Sequence, residues 1–173
     1  GLAYVTGGGG GQTRPRGEFT LSGGTNNISA STEVILAHSP SVGLGGGASI
    51  LHLDGTTTIS TPVMTVGGGK GTALVDFATP GTGDTFTLNN GAGRADLFIG
   101  RQDGGTGGGS TGNFNMSGGT FNGLLDDVII ARKTNAATGG TNGTFTFESG
   151  TVDANSVRLG VRNDAGSAGT LTA

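Results

Sequence analysis

Few residues in this chain are of a type that does chemistry. The 173 residues contain two histidines, no cysteine, and charged side chains at only 12%. His38 and His52 stand 14 positions apart in non-equivalent settings, outside the HExxH spacing that places two imidazoles on one zinc. A nucleophilic Ser-His-Asp arrangement has no support in this spacing either. Carboxylates and guanidinium groups collect in the second half, at Asp96, Arg101, Asp126, Asp127, Arg132, Asp153 and Arg158. Two carboxylates can cleave a glycosidic bond when both reach one cleft at a suitable separation. Asp126 and Asp127 are adjacent, however, and adjacent residues on a strand face opposite ways. Solvated edge and turn charges are therefore the expected role of this set. Arg101 and Arg132, beside Asp103 and Lys133, read as an exposed charge ladder that limits lateral aggregation. No catalytic residue, metal ligand or cofactor is expected.

The elements that would carry these groups show themselves as a repeat. Glu18-Phe-Thr-Leu-Ser-Gly-Gly-Thr-Asn26 returns as Asn113-Phe-Asn-Met-Ser-Gly-Gly-Thr-Phe-Asn122 and as Thr144-Phe-Thr-Phe-Glu-Ser-Gly-Thr-Val-Asp153. Repetition every few tens of residues implies a stacked, quasi-one-dimensional fold. The inward residues of a first strand read as Phe19/Leu21, Leu51/Leu53, Phe86/Leu88, Phe114/Met116, Phe145/Phe147 and finally Leu171, a core ladder with steps of 32, 35, 28, 31 and 26 residues. A second apolar strand follows at Val34/Leu36, Met64/Val66, Leu97/Ile99, Val128/Ile130 and Val157/Leu159. It is closed each time by a small residue: Ala37, Gly67, Gly100, Ala131, Gly160. A small residue there marks a corner where a Cβ would crowd the next coil. Between the strands, Gly24, Gly55 and Gly150 precede Thr25, Thr56 and Thr151. The third unit departs, with Asn89-Asn-Gly-Ala92 at this place and Ala73-Leu-Val-Asp-Phe77 as an insertion.

These features predict an all-β chain: a single right-handed parallel β-helix of about five rungs over 1–173, with rungs starting near 18, 50, 85, 113 and 144. Rungs spaced about 4.8 Å apart pair every backbone group with the coil above and below and line up the apolar residues as one core. An antiparallel sandwich is the competing architecture, but it would not repeat the order of inward pair, Gly turn and small corner. Collagen is excluded because the 39 glycines have no three-residue period, and a net charge of -3 does not fit a disordered chain.

Two half-rungs complete the pattern, at 1–17 and 169–173. Leu2, Tyr4, Val5, Thr170, Leu171 and Ala173 are the candidate junction if copies join head to tail; an excerpt of a longer repeat protein would present the same ends. Outward Thr85/Thr87, Asn113/Asn115, Thr144/Thr146 and Thr170/Thr172 suggest a Thr-x-Thr file of the kind ice-binding solenoids use. Against that reading, the first two units lack the pattern and the unit lengths vary.

The Phe/Leu-Thr-Leu-Ser-Gly-Gly-Thr unit, Leu97-Phe-Ile-Gly-Arg101 and Gly143-Thr-Phe-Thr-Phe147 resemble the autotransporter-associated β-strand repeats of bacterial surface and secreted proteins. The resemblance covers most of the chain and is strongest from Ala95 to Thr172, while the first half departs from it. It implies an extracellular or cell-surface β-solenoid, often part of a very large protein. The expected role is structural: a subunit stacking with itself into a filament, or part of a surface stalk or matrix fibre. A carbohydrate-binding or carbohydrate-cleaving β-helix acting on surface glycans is the alternative. A pI near 5.1 gives no reason to expect nucleic acid, and no apolar run is long enough for membrane insertion as a helix.

Overall fold

The computed structural model describes residues 16–39, 46–81, 83–103, 108–134 and 139–162. Within them there is no helix, and the strands form a three-sided parallel β-solenoid. The first coil holds β1 (Arg16–Thr20), β2 (Thr25–Ser29) and β3 (Val34–His38). The second holds β4 (Ala48–Leu53), β5 (Thr56–Ser60) and β6 (Val63–Gly68). The third holds β7 (Thr72–Phe77), β8 (Thr85–Asn89) and β9 (Ala95–Gln102). Each of the next two coils is one long bent strand, β10 (Ser110–Lys133) and β11 (Thr141–Arg162).

Every side stacks in parallel register. On the first side the ladder runs Phe19, Leu51, Val75, Phe114, Phe145. These five coils make four stacking steps and about four complete turns, slightly fewer turns than the five rungs expected. On the third side it runs Val34, Met64, Leu97, Val128, Val157, with the pairs at Leu36, Val66, Ile99, Ile130 and Leu159 alongside, as the sequence pattern predicts.

The first and second sides correct the expected register. Phe86 and Leu88 do not belong to the first side. They lie on the second, where Phe86 stacks between Thr57 and Phe121, and Leu88 between Ile59 and Gly123. Their place on the first side is taken by Val75 and Phe77, from the segment read as an insertion; the third coil begins at Thr72, not near 85. The reason is local: Thr85-Phe-Thr-Leu88 has the alternation of both sides, so the pattern cannot say which side it serves. The first-to-second-side corner of this coil is Gly83-Asp84-Thr85. Asn90-Gly91 makes the following corner, closed by paired bonds between Asn90 and Gly93 at 3.0 and 2.9 Å.

The core therefore differs in shape from a single Phe column. Phe86, Phe114 and Phe121 are fully buried, and Phe145 packs against them half-buried. Phe114 and Phe145 share the first side, Phe86 and Phe121 the second. Phe114 meets Phe121 edge-on across the interior at 5.2 Å and Phe145 edge-on along the first side at 5.3 Å, geometries that add to plain burial. Leu21, Leu51, Leu53, Leu88 and Met116 are buried with them. Phe19 and Phe147, expected in the core, are 43% and 41% exposed, because each sits in an end coil of the described stack. The six candidate junction residues, Leu2, Tyr4, Val5, Thr170, Leu171 and Ala173, lie outside the described residues, Leu171 being also the last member of the expected core ladder.

Two devices hold the corners. After the third side, Ala37, Gly67, Gly100, Ala131 and Gly160 all have positive φ, from 57° to 78°. The two alanines are the only non-glycine residues in that conformation among those described, and it costs an L-residue about 1–2 kcal/mol. Ala131→Gly should therefore raise stability, by up to about 1 kcal/mol once the greater freedom of Gly in the unfolded chain is subtracted. Thermal unfolding checks this; a lower melting temperature would contradict it. Between the first and second sides, carboxylates of one coil accept the turn N–H of the coil before. Asp54 takes Gly23 at 2.9 Å, Asp84 takes Gly55 at 2.9 Å, and Glu148 takes Gly118 at 3.0 Å.

Candidate functional site

The outward face of the third side carries the densest group of polar side chains with a groove between them. Its columns are Ile35–Thr65–Phe98–Ile129 and His38–Gly68–Arg101–Arg132. Gly68 opens the groove: a Cβ there would come 2.9 Å from Ile35 Cδ1 and 3.3 Å from His38 Nδ1. The resulting space, about 170 Å³, is lined by Glu33, His38, Thr65, Gly68, Arg101 and Asp103 among others.

Arg101 sits at its centre. Its Nη1 donates to Glu33 Oε1 at 3.3 Å, its Nε pairs with Asp103, and its guanidinium lies 4.5 Å from the centre of the Phe98 ring. Thr65 donates to the same Glu33 oxygen at 2.6 Å. Asp103 also holds Arg132 at 3.2 Å and accepts from Thr134 at 2.8 Å, while Arg132 shares the Phe98 ring at 5.2 Å. Four coils are stitched by this network. Stacked guanidinium groups over an aromatic face are favourable where they are partly screened from water. The expected exposed charge ladder is thus corrected: Arg101 and Arg132 are less than a third exposed, and Lys133, next in the strand, turns inward and is buried.

Each carboxylate of the groove is already engaged by a guanidinium. The arrangement offers hydrogen-bond donors and acceptors to a polar ligand, with no carboxylate pair standing free for acid–base work. His38 at its rim has a pKa lowered by burial, opposed by Glu33 and reinforced by Arg101. The folded state then resists a proton that the unfolded chain accepts at its ordinary value of 6.5. This contribution to stability is complete above that pH and is lost as the pH falls below it. In urea unfolding between about pH 7.5 and 5, the wild-type midpoint should fall more steeply than that of His38→Gln; parallel curves would remove His38 from this role.

The remaining charged candidates do not converge. Asp126 accepts from Asn155 at 2.8 Å, Asp127 pairs with Arg158, and Asp96 accepts the Asp127 N–H at 3.2 Å. Asp153 is held by Arg94, whose Nη2 reaches both its oxygens at 2.9 and 3.0 Å. Nη1 of the same arginine binds the Leu125 and Asp153 carbonyls at 2.8 and 2.9 Å. Arg94 drew no attention in the sequence, because an isolated arginine after a Gly turn has no signature of its own. His52 lies on the first side, its Nδ1 2.5 Å from Asp76 Oδ1 and its Nε2 3.5 Å from Glu18 Oε1, again linking successive coils. Among the described residues no group of three or more such side chains is placed to hold a metal ion.

Fold and surface together define a parallel β-solenoid repeat protein whose charged groups chiefly join coil to coil. No family model, curated protein or solved structure matches the chain.

Proposed function

We propose that this chain is a structural element of the bacterial cell surface or extracellular matrix, a solenoid that stacks head to tail with further copies into a filament or forms part of a long surface stalk or matrix fibre. The observation that carries this reading is the state of the end coils. Among the described residues the exposed large hydrophobics are Phe19 in the first coil and Phe147, Val157 and Leu159 in the last. All four occupy inward columns whose other members are buried or half-buried, such as Leu51, Met116, Val128 and Ile130. They are thus core-column residues of the first and last described coils, each paired with a described coil on one side. Open solenoid ends also present unpaired strand edges, which natural repeat proteins cap or pair. A head-to-tail contact that does not close on itself generates a filament. The resemblance to surface-protein repeats and the absence of cysteine support the extracellular setting.

Sedimentation velocity and negative-stain electron microscopy test this. Rods that lengthen with protein concentration are expected, and Val157→Lys combined with Leu159→Lys should shorten them. A monodisperse monomer at high concentration would overturn the reading.

The third-side groove favours a second reading, a solenoid that also binds surface carbohydrate through Glu33, Arg101 and Asp103. A glycan array paired with a reducing-sugar assay separates binding from cleavage, and no signal in either would dismiss it.

A further inference from the structure

The outward face of the second side has a regularity that the sequence conceals. Two files run the length of the described stack in unbroken register. One is Thr25, Thr56, Thr85, Thr120 and Ser149; the other is Asn27, Thr58, Thr87, Asn122 and Thr151. The Thr-x-Thr file expected from the sequence is divided between two sides: Thr85/Thr87 lies here, with Thr25-x-Asn27 and Thr56-x-Thr58, whereas Asn113/Asn115 and Thr144/Thr146 lie on the first side. Variation in coil length is taken up elsewhere, between β7 and β8 and in the returns from the third side. Seven threonines, one serine and two asparagines make up the array, without a charged or aromatic side chain. All ten are exposed or half-exposed, while their neighbours Thr57, Ile59, Phe86, Leu88 and Phe121 are buried beneath.

The geometry points to the surface of ice as the partner of this face. Coils stack about 4.8 Å apart and alternate residues of a strand lie about 6.6 Å apart, so the hydroxyl and amide groups form a near-rectangular grid. Water molecules hydrogen-bonded at about 2.75 Å in a tetrahedral network repeat every ~4.5 Å in one direction and ~7.3 Å at right angles to it. The two grids agree to within about a tenth in each direction, the offset growing by about 0.3 Å per coil along the stack. Threonine suits the task because its β-branch restricts χ1, leaving little side-chain freedom to lose when water is ordered against it. Its methyl group keeps the grid partly apolar.

The composition argues against the other occupants. A protein partner is normally anchored by aromatic or arginine side chains, and the array has neither. A saccharide would find no aromatic ring to stack on. An uncharged face matches an uncharged lattice. The charged side chains nearest in sequence, Asp54, Asp84, Glu148 and Asp153, are each engaged at the corners flanking the array.

This inference does not depend on end-to-end assembly, since a single copy already presents five rows. Nanolitre osmometry on the purified chain is the test. Faceted ice crystals and a gap between melting and growth temperatures are expected. Thr58→Tyr combined with Thr87→Tyr should abolish both, because two exposed rings lift the grid off the lattice while tyrosine remains a good strand residue. Thr146→Tyr, outward on the first side, should leave both intact. Circular dichroism and melting curves show that each variant is folded. Unshaped crystals with no thermal gap for the wild type would overturn the proposal. So would a gap that survives the double substitution in a folded protein.

Discussion

Gly100→Ala should unfold the protein or cost it about 4 kcal/mol or more, among the largest effects a single methyl group can have. Two penalties act at once. Gly100 has φ +72°, a region that an L-residue enters at a cost of about 1–2 kcal/mol. Its Cβ would also stand 2.2 Å from the Asn142 carbonyl oxygen and 2.9 Å from the carbonyl carbon, backbone atoms that cannot swing aside. Those atoms belong to the parallel ladder joining β11 to β10, so relief would mean detaching the last coil. The equivalent Ala37 shows what relief requires. It lies against Gly71, where a Cβ would come 2.7 Å from the Ala37 Cβ. The residue facing Ala37 is a glycine, whereas Gly100 faces the Asn142 carbonyl. Chemical denaturation of Gly100→Ala beside Ala131→Gly checks the pair of opposite signs; a loss below about 1 kcal/mol for Gly100→Ala would refute the crowding argument.

Phe114→Asp should abolish folding. Phe114 is fully buried, between Val75 below and Phe145 above, with Phe86 and Phe121 across the interior at 6.0 and 5.2 Å. The substitution removes aromatic burial worth about 3–5 kcal/mol and leaves a carboxylate with no cation among those rings. Phe19→Asp makes a sharp comparison. It sits in the same column, yet it is 43% exposed at the end of the stack and should lose far less. Retention of a β-rich circular dichroism spectrum and an unchanged melt in Phe114→Asp would contradict this account of the core. Equal damage at both sites would contradict the column's dependence on position along the stack.

The third side was legible from the chain in full because its signal has two parts. The apolar pair is always followed by a residue small enough to take positive φ, and steric exclusion makes that combination rare. The first and second sides lack such a mark. Both read as an apolar alternation beside Thr and Gly, so Phe86 and Leu88 fitted one side by pattern and occupy the other in fact. Phe121 was passed over for the same reason: it follows Thr120 as Asn26 follows Thr25, and an inward Asn hides the column. Lys133 was misplaced because charge suggests exposure, whereas strand alternation after outward Arg132 turns it inward.

What the sequence settles is therefore the architecture: parallel coils, a Gly-lined corner and an apolar core of alternating residues. These follow from backbone sterics and burial, which act within a few residues and repeat. Only the tertiary structure decides which residues become neighbours between coils. Arg132 over Phe98 and on Asp103, Arg94 on Asp153, and the two hydroxyl files of the second side join residues about thirty positions apart or more. Turn lengths vary from coil to coil, so that separation cannot be counted along the chain. The backbone ladder sets it, by pairing each strand with the one stacked beneath it.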